Sequence, residues 1–591
     1  GGGGGRIFSE EQLERLRAQV REMFHFSFDN YMEKAYPDDE LKPVSCSGKN
    51  VFGPRGYALT LIDACDTLAV IGDTAAFEAA VSRILAEVSF DVDVNVSVFE
   101  TNIRALGGLL AAHFLAEALI PWYTDQLIPL AKDLADRLLP AFDTKTGVPY
   151  GTVNLRRGVP KGETVITSAA GGGTVMLEFT VLSRLLGDDR YEAAARRATV
   201  ALWTRKSKLG LVGNHINIAS GAWTHQDAGL GVNIDSFYEY LVKAHLLLGD
   251  SSMLAMFSES YAGIMKYLKK GAWYLDANMH SGTVGAFIFS SLATFWPGVQ
   301  VLVGDVESAV QTQHAVHTLW RRFGGIPEGF NLQTGKLHQG AEGYPLRPET
   351  VESIYYLHQA TGDPVYLSMG ADILSSLESI NRAPCGFAAT RNVETRLLED
   401  RMDSYFLAET LKYLYLLFSP NHWMRKQPHV FNTEGHPLPV LALMQNGSGA
   451  NVHTFLYPNQ KPAPGRKHEG ARGAPPSGGE EAEANRGACA RPDFRRRIAA
   501  YGFDLLAGEI LLQAQGGGDQ DGKPALSLGV DGSETKPAEK QAASTPGQCV
   551  APGKEAGGSA DTQPAPRAAD AKPSQGSAHP TPSQGSVHPT R

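Results

Sequence analysis

The stretch "YPLRPETVESIYYLHQATGD", residues 344–363, sets Glu349 and Glu352 on one face of a helix that Arg347 and Pro348 introduce. Capping alone would account for an acid here, because carboxylates favour the positive end of a helix dipole. It does not account for acids that recur in the same phase elsewhere. Asp235 opens "DSFYEYLVKAHLLLGD", Glu100 precedes Arg104 by four residues in "FETNIRALGG", and Asp403 and Glu409 fall in the matching turns of "RMDSYFLAETLKYLYLLF". Phe99, Phe237, Tyr238, Tyr405 and Phe406 accompany them. Carboxylates, arginines and aromatics around one pocket suit sugar chemistry. Cleaving a glycosidic bond takes one carboxylic acid to protonate the leaving oxygen and one carboxylate to activate water or to attack. Surplus acids offer hard oxygen ligands, which select Ca²⁺.

Such acids meet only if the elements carrying them point the same way. The pattern is helical from Glu10 to about Phe418, with few strand-like alternations, and one dipeptide punctuates it: Gly72-Asp73, Gly187-Asp188, Gly249-Asp250, Gly304-Asp305 and Gly362-Asp363. Glycine accepts the left-handed geometry that closes a helix, and aspartate caps the next one. The spacing is roughly 58 residues, with the first gap close to double. One degenerate copy therefore belongs near residue 130, and a further one near 420, where "LLFSPNH" ends a helix. Seven helix–turn–helix units bury their apolar faces by stacking. The expected fold is all-α, an (α/α)7 barrel, with an open superhelix as the alternative. Closure puts the acid-bearing helix starts at one mouth.

Composition breaks near residue 440. Up to there 38 Lys and Arg face 48 Asp and Glu; beyond it 16 face 15. The acidic part is the folded part, which argues against nucleic acid and suits a neutral ligand or a cation. No apolar run approaches the roughly 18–20 residues that span a membrane. The chain opens on five glycines rather than Met, which reads as a fragment or processed form with any signal peptide out of view. Five cysteines in 591 residues make no disulfide scaffold, and Cys65, in "LTLIDACDTLAV", reads as a buried free thiol. Asn95 and Asn446 head glycosylation sequons. The expected division is a catalytic barrel over 7–440 and a low-complexity tail over 441–591, rich in Gly, Pro, Ala, Ser and Gln. Within the tail, 493–515 carries the pattern of an amphipathic helix, and no usual C-terminal retention tetrapeptide closes it.

Six motifs then make a family visible: "ALTLIDACDTL" (58–68), "SVFETNIRALGGLL" (97–110), "IDSFYEYLVKA" (234–244), "GYPLRPETVES" (343–353), "DRMDSYFLAETLKYLYLLF" (400–418) and "VFNTEGHPLPV" (430–440). Together they resemble glycoside hydrolase family 47, the class I α-1,2-mannosidases, and most closely its ER degradation-enhancing α-mannosidase-like members. The resemblance implies an inverting, Ca²⁺-dependent enzyme that trims α-1,2-linked mannose from high-mannose N-glycans of misfolded glycoproteins in the endoplasmic reticulum. It also implies a small C-terminal β-hairpin plug in the barrel. Glu100 matches the family's proposed general acid and Glu349 the base that activates water. Asp235 matches a third essential acid to which either role has been assigned. Thr433 matches the threonine that binds Ca²⁺. Glu352, Glu409 and Glu434 match acids that hold the ion's waters or the sugar, Arg104, Glu328 and Arg347 further pocket residues, and Tyr405 the aromatic that packs on mannose. Inversion calls for carboxyls roughly 6.5–9.5 Å apart.

The resemblance further implies a disulfide between Cys46 and Cys385, and a protein disulfide isomerase-type oxidoreductase as a partner class. The chain departs from the family pattern at Asp403 and Tyr405, where relatives usually carry Glu and Phe. Two other readings compete with the enzyme. A mannose-binding lectin on the same barrel would need no base, and a helical scaffold would use its acids only as caps.

Overall fold

The computed structural model describes residues 8–440. The tail over 441–591, its amphipathic stretch at 493–515 and the sequon at Asn446 lie outside the described residues.

The Gly–Asp boundaries behave as their chemistry dictates. Gly249 and Gly362 end their helices at φ of 73° and 66°, where a Cβ is disfavoured. Asp73, Asp250 and Asp305 each accept a hydrogen bond from a backbone N–H in the first turn of the following helix. Fourteen helices result among the described residues. The odd-numbered ones are α1 (Glu10–Asn30), α3 (Thr74–Glu87), α5 (Leu127–Leu138), α7 (Arg190–Trp203), α9 (Ser251–Gly263), α11 (Val306–Phe323) and α13 (Val365–Ser376). The even-numbered ones are α2 (Cys65–Val70), α4 (Gly107–Leu119), α6 (Met176–Leu186), α8 (Asp235–Leu248), α10 (Trp296–Leu302), α12 (Glu349–Thr361) and α14 (Leu411–Leu417).

The even-numbered helices are the more buried set, and each packs on the next, from α2 through α14. The turn Phe406–Thr410, which leads into α14, packs back on α2 and completes the circle. The odd-numbered helices lie against them from outside. The fold is therefore a closed α/α barrel, and the open superhelix does not form.

Two expectations need correction. The degenerate boundary falls at 120–126, in the connection between α4 and α5, and carries no Gly–Asp pair. Near residue 420 a helix does end, but no outer helix follows it. The partner of α14 is α1, from the far end of the chain. Sequence periodicity missed this because it reads only neighbours along the chain.

Connections also differ by end. An inner helix passes to its outer partner in about seven residues or fewer, whereas the return connections are long. The return loops hold strands of two to four residues, paired antiparallel into small sheets of two or three strands. Such strands are too short for alternation to register, so the sequence showed few of them. Asn95, head of the first sequon, is exposed on one of these sheets. A final hairpin, His429–Phe431 with Pro437–Pro439, packs on α8 and α4.

Cys46 and Cys385 form a disulfide with Cα atoms 5.5 Å apart, joining the loop before α2 to the loop after α13. Cys65 is free and buried in α2, as expected. Among the described residues no helix is long and apolar enough to cross a membrane. The bridge closes a loop of 339 residues. We predict that Cys385→Ser lowers unfolding free energy by about 5–6 kcal/mol in the chain-entropy model. Urea denaturation checks this, and a loss below about 1 kcal/mol would contradict the entropic account.

Candidate active site

The long return loops end where the inner helices begin, so acids at those starts gather at one end of the barrel. Asp235 and Glu349 are the first residues of α8 and α12, and Glu352 lies one turn further on. Glu100 ends the short turn Val98–Glu100, whose start is capped by Ser97: its hydroxyl accepts from the Glu100 N–H at 3.2 Å. From there a π-helical stretch, Thr101–Leu106, runs into α4. Glu409 sits in a second π turn, Phe406–Thr410, before α14. Inserting a residue into an α-helix this way costs hydrogen-bond regularity and commonly marks functional positions.

Two arginines organise the mouth. Arg104 Nε lies 2.8 Å from Glu100 and 3.5 Å from Glu434, and its guanidinium stacks 5.2 Å over the Tyr405 ring. Arg347 forks onto both oxygens of Glu328 at 2.5 and 2.6 Å and stands 3.9 Å from Glu349. Deeper, Lys243 pairs with Glu239 and, at 3.3 Å, with Glu352. Thr433, in the final hairpin, donates its hydroxyl to Glu239 at 2.8 Å. Its neighbour Asn432 donates to Glu178 and to the Ile103 carbonyl. The hairpin turn thus reaches the interior that the acids line.

Burial dominates the electrostatics. It pushes Glu349 up to about 8, and the attraction of Arg347 only partly offsets it. Burial likewise pushes Asp235 and Glu352 up to about 7, Lys243 partly offsetting the effect at Glu352. Glu409 and Glu434 are held well above the usual carboxylate range, first by burial and then by neighbouring acids. Glu349 Oε2 is buried and has no hydrogen-bond partner. A buried, unpaired carboxylate oxygen is costly, so such a group is aimed at something that arrives later.

The expected residues divide in two. Glu100, Arg104, Glu434 and Tyr405 are brought together, as are Glu328, Arg347 and Glu349. Glu352 and Thr433 meet around Lys243 and Glu239, whereas Asp235 contacts its own helix through Ser236. Phe237, Tyr238 and Phe406 do not line a pocket; they are core side chains. Phe99 is partly exposed. Asp403 is no free acid either: Arg401 and the Tyr405 hydroxyl occupy it at 2.8 Å each.

Sequence reading missed Glu239, Lys243, Glu178, Asp63, Asp66, Lys412 and His436. Three of the missed positions had a usable signal, since Glu239 follows Asp235 by four residues, Lys243 likewise follows Glu239 by four, and Asp66 follows Asp63 by three. Glu178 meets Tyr240 and Asn102 across 62 and 76 residues, and the ion pairs of Asp63, Lys412 and His436 span more than 300. Among the described residues, no group of three or more His, Cys, Asp and Glu side chains is placed to cage a metal directly.

Comparison with known proteins resolves what this arrangement belongs to. The profile of glycosyl hydrolase family 47 matches residues 23–440. The chain belongs to that family. Alpha-mannosidase I MNS4 of Arabidopsis thaliana is 50% identical over 441 residues, covering 73% of this chain and 70% of the relative. ER degradation-enhancing alpha-mannosidase-like protein 2 of Mus musculus is 46% identical over 452 residues, 72% of this chain and 78% of its own. The solved alpha-1,2-mannosidase from Trichoderma reesei is 28% identical with a TM-score of 0.66, covering 72% of this chain and 99% of that one.

The raised carboxyls give a sign for pH dependence. Glu349 keeps its proton to a higher pH when folded than when unfolded, so its neutral form costs nothing below about pH 4.5 and its penalty grows above that. In chelator, Glu349→Gln should match the parent near pH 4 and exceed it increasingly toward pH 8, by about 1.4 kcal/mol per pH unit. Urea midpoints across that range check it; a constant gap would contradict the assignment.

Proposed function

We propose that this family 47 member is an inverting, calcium-dependent α-1,2-mannosidase that trims high-mannose N-glycans on misfolded glycoproteins in the endoplasmic reticulum. The observation that carries the reading is the Glu349 carboxylate, its Oε2 buried without a partner and its Oε1 3.9 Å from Arg347. The names of the relatives from Arabidopsis thaliana and Mus musculus, and of the solved Trichoderma reesei enzyme, support the substrate class and the compartment.

In this reading the terminal mannose enters between the long loops and lies against Tyr405, with Arg104, Glu328 and Arg347 holding its hydroxyls. Ionised beside Arg347, whose charge offsets part of the burial that raises its proton affinity, the Glu349 carboxylate takes the proton of the attacking water. Glu100 or Asp235 delivers a proton to the departing glycosidic oxygen. Glu100 is aimed by Arg104, while Asp235, with its proton held to about pH 7, is protonated enough to donate.

The donor set fits Ca²⁺, a hard cation that takes oxygen ligands. Thr433 supplies a hydroxyl and a carbonyl, and Glu352, Glu409 and Glu434 surround it as acids whose raised proton affinity a cation would relieve. With no direct carboxylate cage among the described residues, these acids would act through the ion's waters. When bound, the ion supplies positive charge that keeps nearby carboxylates ionised and orders water among them. The final hairpin, as the plug of the barrel, brings Thr433 to that place. A protein disulfide isomerase-type oxidoreductase is the partner class suited to making or opening the Cys46–Cys385 bridge.

High-mannose glycans, free and on a denatured glycoprotein, test the reading with Ca²⁺ or chelator. We predict calcium-dependent loss of hexose units, slowed at least about 100-fold in Glu349→Gln. Glycan binding without hexose loss would make the barrel a lectin. Indifference to chelation with no binding would leave only a scaffold.

A further inference from the structure

Behind the mouth runs a line of buried polar side chains that the proposed reaction does not use. Lys412 Nζ, on α14, lies 2.7 Å from Asp66 on α2 and donates to the Gly435 carbonyl at 2.7 Å. Asp66 faces His436 Nδ1 at 3.3 Å, and His436 Nε2 faces Asp63 at 3.1 Å. The other Asp63 oxygen accepts the Ser404 hydroxyl. Ser404 Oγ in turn accepts from Arg104 Nη1 at 3.1 Å, and Arg104 holds Glu100. The side chains of Lys412, Asp66, Asp63 and His436 are 0% exposed.

The chemistry of the members leaves one direction for every proton. Both imidazole nitrogens of His436 face carboxylates, so both must donate, which requires the imidazolium. Asp63, acceptor only, then fixes the Ser404 hydroxyl as a donor toward itself. That leaves a Ser404 lone pair for Arg104. A neutral His436 would turn one ring nitrogen's lone pair against a carboxylate and loosen the line at its centre. The line joins α14, the final hairpin, α2 and its lead-in turn, and it ends on the Glu100 pair rather than on backbone.

We propose that His436 is a positioning residue for sugar cleavage: clamped between Asp63 and Asp66, it sets Ser404 and so turns Arg104 onto Glu100. The proposal rests on the mannosidase reading for its kinetic consequence, but not for its geometric one. Without the Ser404 contact Arg104 can swing toward Glu40, 3.9 Å from its Nη1 in this structure. Glu100 then loses the group that aims it.

Crystal structures and kinetics of the full chain carrying His436→Gln or Ser404→Ala test this. The expected result is Arg104 displaced from Glu100 in both, with kcat on a high-mannose glycan reduced roughly 10–100-fold and KM changed less than about threefold. A purely structural role would lower the unfolding midpoint and leave kcat of the folded enzyme intact; that result, or Arg104 still seated on Glu100, overturns the proposal. Ser404→Ala keeps the imidazolium between its two carboxylates, so it decides the matter if His436→Gln fails to fold. If the parent protein turns over no glycan, the mannosidase reading fails, and the position of Arg104 in the two variants still decides the geometry.

Discussion

The constraint on which this barrel depends is the burial of like charge. Glu178, Glu239, Glu352, Glu409 and Glu434 are all buried side chains inside one ring of helices. An ionised carboxylate is expensive to remove from water, and several together repel one another as well. Two remedies are visible. At Glu352, Glu409 and Glu434 burial raises the proton affinity, which favours the neutral form. Acids are also answered by buried cations, Lys243 beside Glu239 and Glu352, Lys412 beside Asp66, and Arg104 beside Glu100 and Glu434. Removing one partner of such a pair leaves an uncompensated buried charge, which is strongly destabilising.

This electrostatic requirement accounts for the asymmetry of the chain. Inner helices must start near one another for their acids to meet, and the long connections that feed those starts have room to shape a cleft. At the opposite end, apart from the connection 120–126, the chain turns in two or three residues at its Gly–Asp boundaries. Local sequence sets the short end through cap and turn preferences. The long end is set by packing between loops distant in sequence, including the Cys46–Cys385 bridge.

The same division decides what the sequence discloses. The Gly–Asp boundaries, the helix starts at Asp235 and Glu349 and the Glu100–Arg104 pair were legible, because each is encoded within one turn of helix. Phe237, expected among the aromatics lining the pocket, belongs to the core, because its place in the first turn of α8 does not say which way the ring packs. His436 carries no local mark of its role: its partners lie 370 and 373 residues away. Thr433 was reached only through family likeness, for a threonine in a hairpin has no local signature of a ligand. Its hydrogen bond to Glu239 spans 194 residues.

The pairing of α1 with α14, the first helix with the last, has a consequence in time. The elements packed most extensively on α1, apart from the stretch that follows it directly, are α14, the turn before it and the strand Gly386–Phe387. A ribosome adds about 5–20 residues per second, so roughly 20–80 s separate the emergence of α1 from that of α14. Through that interval Val20, Met23 and Phe24, fully buried in the finished barrel, lack the surface of α14 against which their helix packs. The barrel is thus a structure whose first segment waits for its last, and during synthesis it depends on whatever in its surroundings shields an apolar helix.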